Sequence, residues 1–556
     1  MKVCFPVIGW ESISVEYLSG HLKSHGHSCE VAYDQCLFDD KNYVSIPFLY
    51  RIFNNSSAVV EQVIASKPDI ICFSVMSVMY TWARNLAIVL KEELPDVPIV
   101  FGGYHPTGAP GQVIAEPYVD YVVVGEGEIA LASICEAVAG GEPANDISGV
   151  WYKDDSGQVI EMGRAQPVID PDTLPYVDKE IFERHVPLKS YYLSSLARGC
   201  VYNCTYCAVT LLNDISREFG LKQFRLHGVK RVVDELEVQI NKYGSKWIDF
   251  RHAIFATNAE WIFLFCEDYK KRVNKPFRIF MHPALIREDT TRALKDAGCF
   301  TIQVGLESFD EELRREALNR RESNEVIMRA IDAMESAGIS YTLDYILGLP
   351  GQSEQELKDV LDLFSKLKHC YRLSPFMCQY LPGSEMVDYA KERGYLTDAD
   401  IENINNGEHD NYMAEGSIGV YSKEWQKTLR MYRLIFRTFG LIPAGARRFV
   451  IRTNMHRMFR FLPQGLTLKF LDLLIACSDL DARSYLKNYV WWISRRLMPS
   501  HPTYLFRRSE IGKKYRHLDL LSDAPATSEV RCRAGFDMEG AVPKPVASAA
   551  EANSSV

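Results

Sequence analysis

Cys200, Cys204 and Cys207 stand within eight residues of one another in ARGCVYNCTYCAV. The spacing CxxxCxxC puts three soft thiolate donors on one short loop, and thiolates are the ligands that iron–sulfur clusters require. Three ligands to a cluster of four irons leave one iron open to a small molecule. A zinc ion is the alternative metal for such a set. It calls for a fourth protein ligand at regular spacing, and no nearby CxxC or HxxxH supplies one. Three buried structural cysteines are the remaining alternative.

Polar and glycine residues with chemical potential also collect where apolar runs end. The run DIICFSVMS reads as a fully buried strand that ends near Ser74, and PIVFGG ends at Gly102-Gly103-Tyr104-His105. VDYVVVGEGE ends at Gly125-Glu126-Gly127-Glu128. Glycine at a strand end lets a bulky ligand approach the backbone. Later in the chain CFTIQVGLES ends at Gly305, Glu307 and Ser308, and ISYTLDYILGLPG ends at Gly348-Leu349-Pro350-Gly351.

The elements that must hold these residues follow from periodicity. Residues 2–9 read as a buried strand, followed by a helix with Val15, Leu18 and Leu22 on one face. Strands and helices then alternate, with continuous apolar strands, the pattern of a parallel doubly wound α/β sheet. Ligands of such sheets lie outside the carboxyl ends of the strands. After a stretch rich in Pro, Asp and Gly, including a hairpin-like turn at Asp155-Ser156-Gly157, alternation resumes from Tyr191 with LSSLARGC, WIDFRHAIF, FRIFMHPAL and three further strands. Six such units fit a partial (β/α)6 barrel, with chemistry at the strands' carboxyl ends. The expected division is 1–140 for the first sheet, 141–190 as linker, 191–400 as barrel, 401–520 as a helical basic segment, and 521–556 as a disordered tail rich in Ala, Ser and Pro.

Composition narrows the class. The chain has 556 residues, 47% hydrophobic and 24% charged, as in a soluble globular protein of two or three domains. The start MKVCFPVIGW has no sustained apolar run, so no signal peptide is expected. No stretch of about twenty apolar residues suggests a membrane span. Fourteen cysteines scattered mostly through apolar segments suit a reduced, cytoplasmic protein rather than a disulfide framework. The net charge of −9 is uneven: from Lys423 to Arg516 twenty Lys and Arg face five Asp and Glu, a balance of +15 that leaves −24 elsewhere. Helical runs there (KTLRMYRLIFRTF, TLKFLDLLIAC, YLKNYVWWISRRLM) carry Arg447-Arg448, Arg495-Arg496 and Arg507-Arg508 beside aromatics such as Trp491 and Trp492. Such helices suit a peripheral anionic membrane surface or an anionic substrate, or they are the solvated face of a cap over the barrel.

Taken together, the cysteine spacing, Tyr206 before the third cysteine, FGGYHPT, YVVVGEGE and YLPGSEM resemble the cobalamin-dependent radical S-adenosylmethionine (SAM) family over residues 2–400. The resemblance implies a 4Fe-4S cluster on Cys200, Cys204 and Cys207, and SAM contacts from Tyr206, Gly305, Glu307, Ser308 and Gly348. It implies cobalamin contacts from Ser74, Gly102, Gly103, Tyr104, Glu126 and Gly127. The family's DxHxxG run is absent, which implies cobalt without a protein imidazole, and His105 reads as an ordinary loop residue. Where the family has an acidic pair after the second barrel strand, this chain has His252-Ala253, so Asp249 or another carboxylate is expected to substitute. The implied activity is methylation of an unactivated carbon of a small-molecule substrate, anionic or lipid-like, with an external electron donor such as flavodoxin or ferredoxin and no nucleic acid. The alternatives are a non-methylating radical cyclase or rearrangement enzyme acting on a tetrapyrrole-like substrate, and a non-catalytic cobalamin-binding protein.

Overall fold

Apolar runs in the first part of the chain pair in parallel: β1 (Lys2–Ile8), β2 (Ser28–Asp34), β3 (Ile70–Ser74), β4 (Ile99–Gly102) and β5 (Tyr121–Val123), in the order β2-β1-β3-β4-β5. The computed structural model describes residues 1–39, 46–408, 421–461, 480–496, 509–515 and 517–521. The run TLKFLDLLIAC, Arg507-Arg508 and the expected disordered tail from 522 onward lie outside the described residues. Helices cover both faces of the sheet, so each face has its own apolar core. Pro6 stands in this central strand without a backbone N–H to give, but β1 pairs with β3 only at Val3 and Cys4, so Pro6 lies beyond that pairing.

The expected linker does not stand free. Within it β6 (Val150–Lys153) and β7 (Val159–Ile160) form the hairpin around Asp155-Ser156-Gly157, and β6 pairs antiparallel with β5. An uncovered β5 would leave a row of unpaired edge groups, which the hairpin satisfies. The stretch after it buries Val168, Leu174, Val177, Phe182 and Leu188.

The second sheet is six-stranded and parallel throughout. Its elements are β8 (Tyr192–Ser194), β11 (Ile248–Phe250), β12 (Phe277–Met281), β13 (Cys299–Glu307), β14 (Ser340–Leu347) and β15 (Cys370–Met377), side by side in chain order. The expected strand LSSLARGC is cut in two. Only its start stays in the barrel, as β8; β9 (Ala197–Arg198) turns away and pairs antiparallel with β10 (Arg225–Leu226). Helices between the strands bury the outward face, where Val304, Leu306, Leu343, Tyr345 and Leu347 join one core.

The basic carboxy-terminal segment straps over both sheets. Helix Lys423–Phe439 lies along β15, so closely that a Cβ on Gly440 would stand 2.7 Å from the Tyr371 carbonyl. Helix Leu480–Arg496 returns to the first sheet, where the indole N–H of Trp492 donates to the His185 carbonyl at 2.8 Å. Trp492 and Arg447, expected on a basic outer surface, are instead buried; the Arg447 guanidinium stacks on Phe364 at 4.4 Å. Among the described residues no helix is long and apolar enough to cross a membrane.

What joins the two sheets is largely electrostatic. Glu126 and Glu128, just past β5, pair with Arg225 and Arg198, and those arginines face each other as register partners of β10 and β9. All four side chains are nearly or fully buried except Arg198, which stacks over the Tyr17 ring at 4.4 Å. Glu126 also accepts from the Val168 N–H at 2.9 Å. Lys179, fully buried, lies between Glu11 at 3.1 Å and Glu16 at 2.7 Å. Beside these pairs the backbones meet: a Cβ on Gly108 would sit 2.2 Å from the Pro382 carbonyl oxygen. A buried pair broken on one side leaves an uncompensated charge worth about 3–5 kcal/mol. Glu126→Ala should therefore lower stability in denaturant unfolding by about that amount, and the Glu126→Ala/Arg225→Ala double variant should lose less than the sum of the single variants. Strict additivity would show that the two side chains do not act as a pair.

Candidate active site at the domain boundary

The cysteine loop begins two residues after Arg198 and is tied down from several elements. Gly199 has a φ of +70°, and a Cβ there would lie 1.9 Å from the Gln223 carbonyl oxygen, so only glycine allows the turn. Asn213, on helix Val209–Glu218, reaches back over the loop. Its Oδ1 accepts from the Cys200 N–H at 3.1 Å, and its Nδ2 donates to the Tyr202 carbonyl at 3.1 Å and to Asn203 Oδ1 at 2.9 Å. The Met386 N–H donates to the Thr205 carbonyl at 3.0 Å, and Asn319 Nδ2 to the Asn203 carbonyl at 2.8 Å. Tyr202 stacks on His282, at the end of β12, with centroids 3.8 Å apart.

Burial pushes the three thiols up, to about 11 for Cys200, 12 for Cys204 and 11 for Cys207, while the Arg320 guanidinium pulls each of them down. Iron binding to them must therefore release protons. Among the described residues no three His, Cys, Asp or Glu side chains gather as a single metal ion would need. Ligands to different irons of a cluster stand farther apart than ligands to one ion, so this donor set fits a cluster.

Arg320 is the centre of the adjoining charge network, and nothing in its sequence context (an Arg-Arg pair in a polar stretch) marks it out. It is buried, donates to the Gly305 carbonyl at 2.7 Å, pairs with Glu322 at 2.7 Å, and approaches Glu307 and the Tyr206 hydroxyl, each at 3.5 Å. Glu307 ends β13 at a shift in register and has a φ of +63°, a left-handed conformation that non-glycine residues adopt at a cost. A Cβ on Gly305 would lie 2.5 Å from Glu307 Oε1, so the glycine makes room for that carboxylate. Burial pushes the Glu307 carboxyl up to about 7, against the pull of Arg320. Cys200, Cys204, Cys207, Tyr206, Gly305 and Glu307 are thus brought together.

Other expected site residues are placed elsewhere. Ser308 is fully buried and gives its hydroxyl to Glu356, which also accepts from the Tyr345 hydroxyl at 2.6 Å; the register shift at Glu307 turns Ser308 to the helix-packed side. Gly348 lies on the same rim, its N–H on Gln352 at 2.7 Å and its carbonyl under the Tyr421 hydroxyl at 2.7 Å. His252 holds the loop from behind. Its Nε2 meets the Gly199 carbonyl at 2.9 Å and its Nδ1 the Ser195 hydroxyl at 3.1 Å, and burial lowers its pKa to about 4, so it is neutral. Asp249 does not replace the missing acidic pair, because both its oxygens are taken by Arg278, at 2.6 and 2.7 Å.

At the first sheet, Ser74, Gly102, Gly103 and Tyr104 remain half-buried at the carboxyl ends of β3 and β4. Gly103 has a φ of +96° and turns the chain into a short helix, Tyr104–Gly108, where the sequence suggested only a turn. Burial raises the Tyr104 hydroxyl, and the nearby Cys207 thiol adds to the effect, which places this tyrosine between the two sheets. Glu126 and Gly127 are not at this surface: Glu126 is held by Arg225, and a Cβ on Gly127 would meet Leu18 at 3.3 Å. His105 is fully buried, stacked on Tyr80 at 4.0 Å with Nδ1 near the Ser77 hydroxyl at 3.2 Å. The Gln35 amide oxygen, at the end of β2, is buried without a hydrogen-bond partner, which fits a ligand rich in amide donors such as a corrin.

Comparison with known proteins matches the description Radical SAM superfamily over residues 194–364 and B12 binding domain over 9–135. The chain is 27% identical over 365 residues to an anaerobic magnesium-protoporphyrin IX monomethyl ester cyclase of Rubrivivax gelatinosus, spanning 63% of this chain and 61% of that protein's length. It is 26% identical over 337 residues to an uncharacterized methyltransferase of Pyrococcus horikoshii, spanning 58% and 69%. The solved structure of OxsB, a cobalamin-dependent SAM radical enzyme with aqua-cobalamin and SAM bound, superposes with a TM-score of 0.59 at 14% identity, covering 93% of this chain and 83% of that one. At that identity the likeness speaks for the fold.

Anaerobic reconstitution should load about four irons per chain, the stoichiometry of one such cluster. Changing Cys200, Cys204 or Cys207 to Ala should each remove the charge-transfer absorbance. A cluster that survives loss of two of these thiols would rule out the assignment.

Proposed function

The chain belongs to the radical SAM superfamily, with a B12-binding domain ahead of its radical SAM domain, and from that membership we propose that it methylates an unactivated carbon of a small-molecule substrate. A radical SAM domain implies a 4Fe-4S cluster and SAM, and a B12-binding domain implies cobalamin. When bound, the cluster and SAM supply a 5′-deoxyadenosyl radical, and cobalamin supplies a transferable methyl group; the protein supplies geometry.

The observation that carries the reading is the buried pairing of Glu126 and Glu128 with Arg225 and Arg198. It fixes the cysteine loop against the carboxyl ends of β3 and β4, so one closed space serves both cofactors. Cys200, Cys204 and Cys207 hold the cluster. Arg320 offsets the negative charge gathered there, a task suited to a guanidinium, which stays charged when buried. Glu307, aimed by its left-handed backbone, binds the ammonium or a ribose hydroxyl of SAM, with Tyr206 beside it. The Gly348 rim supports the adenine. Ser74, Gly102, Gly103 and Tyr104 line the cobalamin side. The close backbone contact at Gly108 and Pro382 excludes water from between the domains, as radical chemistry needs. An external one-electron donor such as flavodoxin or ferredoxin reduces the cluster, and the enzyme acts in the cytoplasm.

The second reading, cyclisation or rearrangement of a tetrapyrrole-like substrate, is favoured by the likeness to the cyclase. A purely cobalamin-binding role is disfavoured by the intact cysteine loop. Product counting separates the first two. Methyl transfer through cobalamin needs one SAM for the radical and one to recharge cobalt, so 5′-deoxyadenosine and S-adenosylhomocysteine should form in roughly equal amounts. With methyl-deuterated SAM the product should carry the label. Only trace S-adenosylhomocysteine, with an unlabelled product, would refute methylation in favour of cyclisation.

A further inference from the structure

The inner face of the barrel is unusually polar. Side chains alternate across each strand, and Val304, Leu306, Leu343 and Tyr345 face the outer core, so their neighbours Gln303, Gly305, Thr342 and Asp344 face the lumen. The Gln303 amide donates to Asp344 Oδ2 across that face at 2.7 Å. Asp249 pairs with Arg278, its register partner on β12, and Arg372 and Ser374 bring the same polarity to β15. A barrel interior is ordinarily packed with branched apolar side chains.

Three polar atoms in this lumen have no hydrogen-bond partner: Thr342 Oγ1, Asp344 Oδ1 and Ser374 Oγ. Thr342 is 1% exposed and Ser374 8%. Asp344 and Ser374 stand opposite each other in the β14–β15 register, and Thr342 lies one lumen-facing position below. The Ser374 hydroxyl is near enough to favour the Asp344 charge yet outside hydrogen-bond geometry, and burial still raises that carboxyl to about 6. Buried polar groups are almost always satisfied, so three orphans on adjacent strands need a partner from outside the protein.

We propose that Thr342, Asp344 and Ser374 form the polar floor of the substrate pocket and take a hydrogen-bond-donating group of the substrate, a hydroxyl or an amine. The proposal rests on the radical SAM reading only for its location. Gly305, on the SAM rim, is the register partner of Asp344, so a group on this floor lies directly beneath the reacting end of SAM. A substrate with only hydrocarbon at this depth does not fit.

Two measurements on the full chain test it. In the first, saturation-transfer NMR on the cluster-free protein reads occupancy by glycerol, ethanolamine and cyclohexane. Glycerol or ethanolamine should bind, cyclohexane should not, and Thr342→Val or Ser374→Ala should weaken the polar probe about fivefold, the worth of one hydrogen bond. Both variants should unfold at a temperature no lower than the wild type, because each replaces an unpaired hydroxyl by an apolar group. In the second, the reconstituted protein turns over SAM with dithionite and the perdeuterated probes. Abstraction breaks a C–D bond of the probe and forms one at the 5′ carbon, and dithionite reduces the probe radical. Deuterium should reach 5′-deoxyadenosine from the probe that binds, less in Asp344→Leu than in Asp344→Asn, and which probe labels it tells hydroxyl from amine. Equal binding of cyclohexane, unchanged binding in the variants, or variants that unfold earlier would overturn the proposal. Binding that depends on these residues while no 5′-deoxyadenosine forms would leave the subsite standing and refute the radical reading instead.

Discussion

Arg198 and Arg225 face each other on a two-residue antiparallel ladder and together cross to Glu128 and Glu126 on the other sheet. Almost everything else about the site depends on that contact. The cysteine loop starts at Cys200, so the position of Arg198 sets where the loop leaves the barrel. Ion pairs in the interior are poor sources of net stability, since desolvating both charges offsets most of their attraction. Their value here is directional: an arginine fork bonded to a carboxylate admits one geometry where apolar packing would admit several. Close backbone contacts at Gly108 and Gly125 allow the two sheets to approach, and the charges fix the register of that approach.

The same logic holds inside the barrel. Arg320 is surrounded by Glu307, Glu322, the Gly305 carbonyl and the cysteine thiols, which together compensate one buried cation. The strain at Glu307 is maintained by this network, because Gly305 leaves the space its carboxylate occupies and Arg320 holds the far side. Below the rim the lumen stays polar and partly unsatisfied, as expected of a pocket shaped for a ligand more than for folding. The outer face of the same strands carries the stabilising apolar burial.

Much of this was legible in the residues. Continuous apolar strands at regular spacing gave both parallel sheets, and the cysteine spacing and the strand-end glycines located the boundary where the two sheets meet. What could not be read was which way individual polar groups turn. Glu126, flanked by glycines at a strand end, looks ligand-facing, and only a partner 99 residues away decides otherwise. Ser308 follows Glu307 by one position, yet a register shift sends it to the opposite face. The linker composition was read correctly as turns, but composition does not say that the edge of β5 needs covering. Arg320 sits in a charged run indistinguishable from solvated surface. In each case the deciding contact is distant in sequence, where local pattern carries no information.

The central claim is that the cysteine loop and the first sheet hold their cofactors across one closed boundary. The most direct measurement is pulsed electron paramagnetic resonance of protein loaded with cob(II)alamin, with the cluster either oxidised or reduced. If the claim holds, reduction of the cluster accelerates relaxation of the cob(II)alamin signal through dipolar coupling, and Arg198→Ala, which loosens the boundary, diminishes that effect. A cob(II)alamin signal indifferent to the redox state of the cluster would place the two cofactors apart and contradict the account.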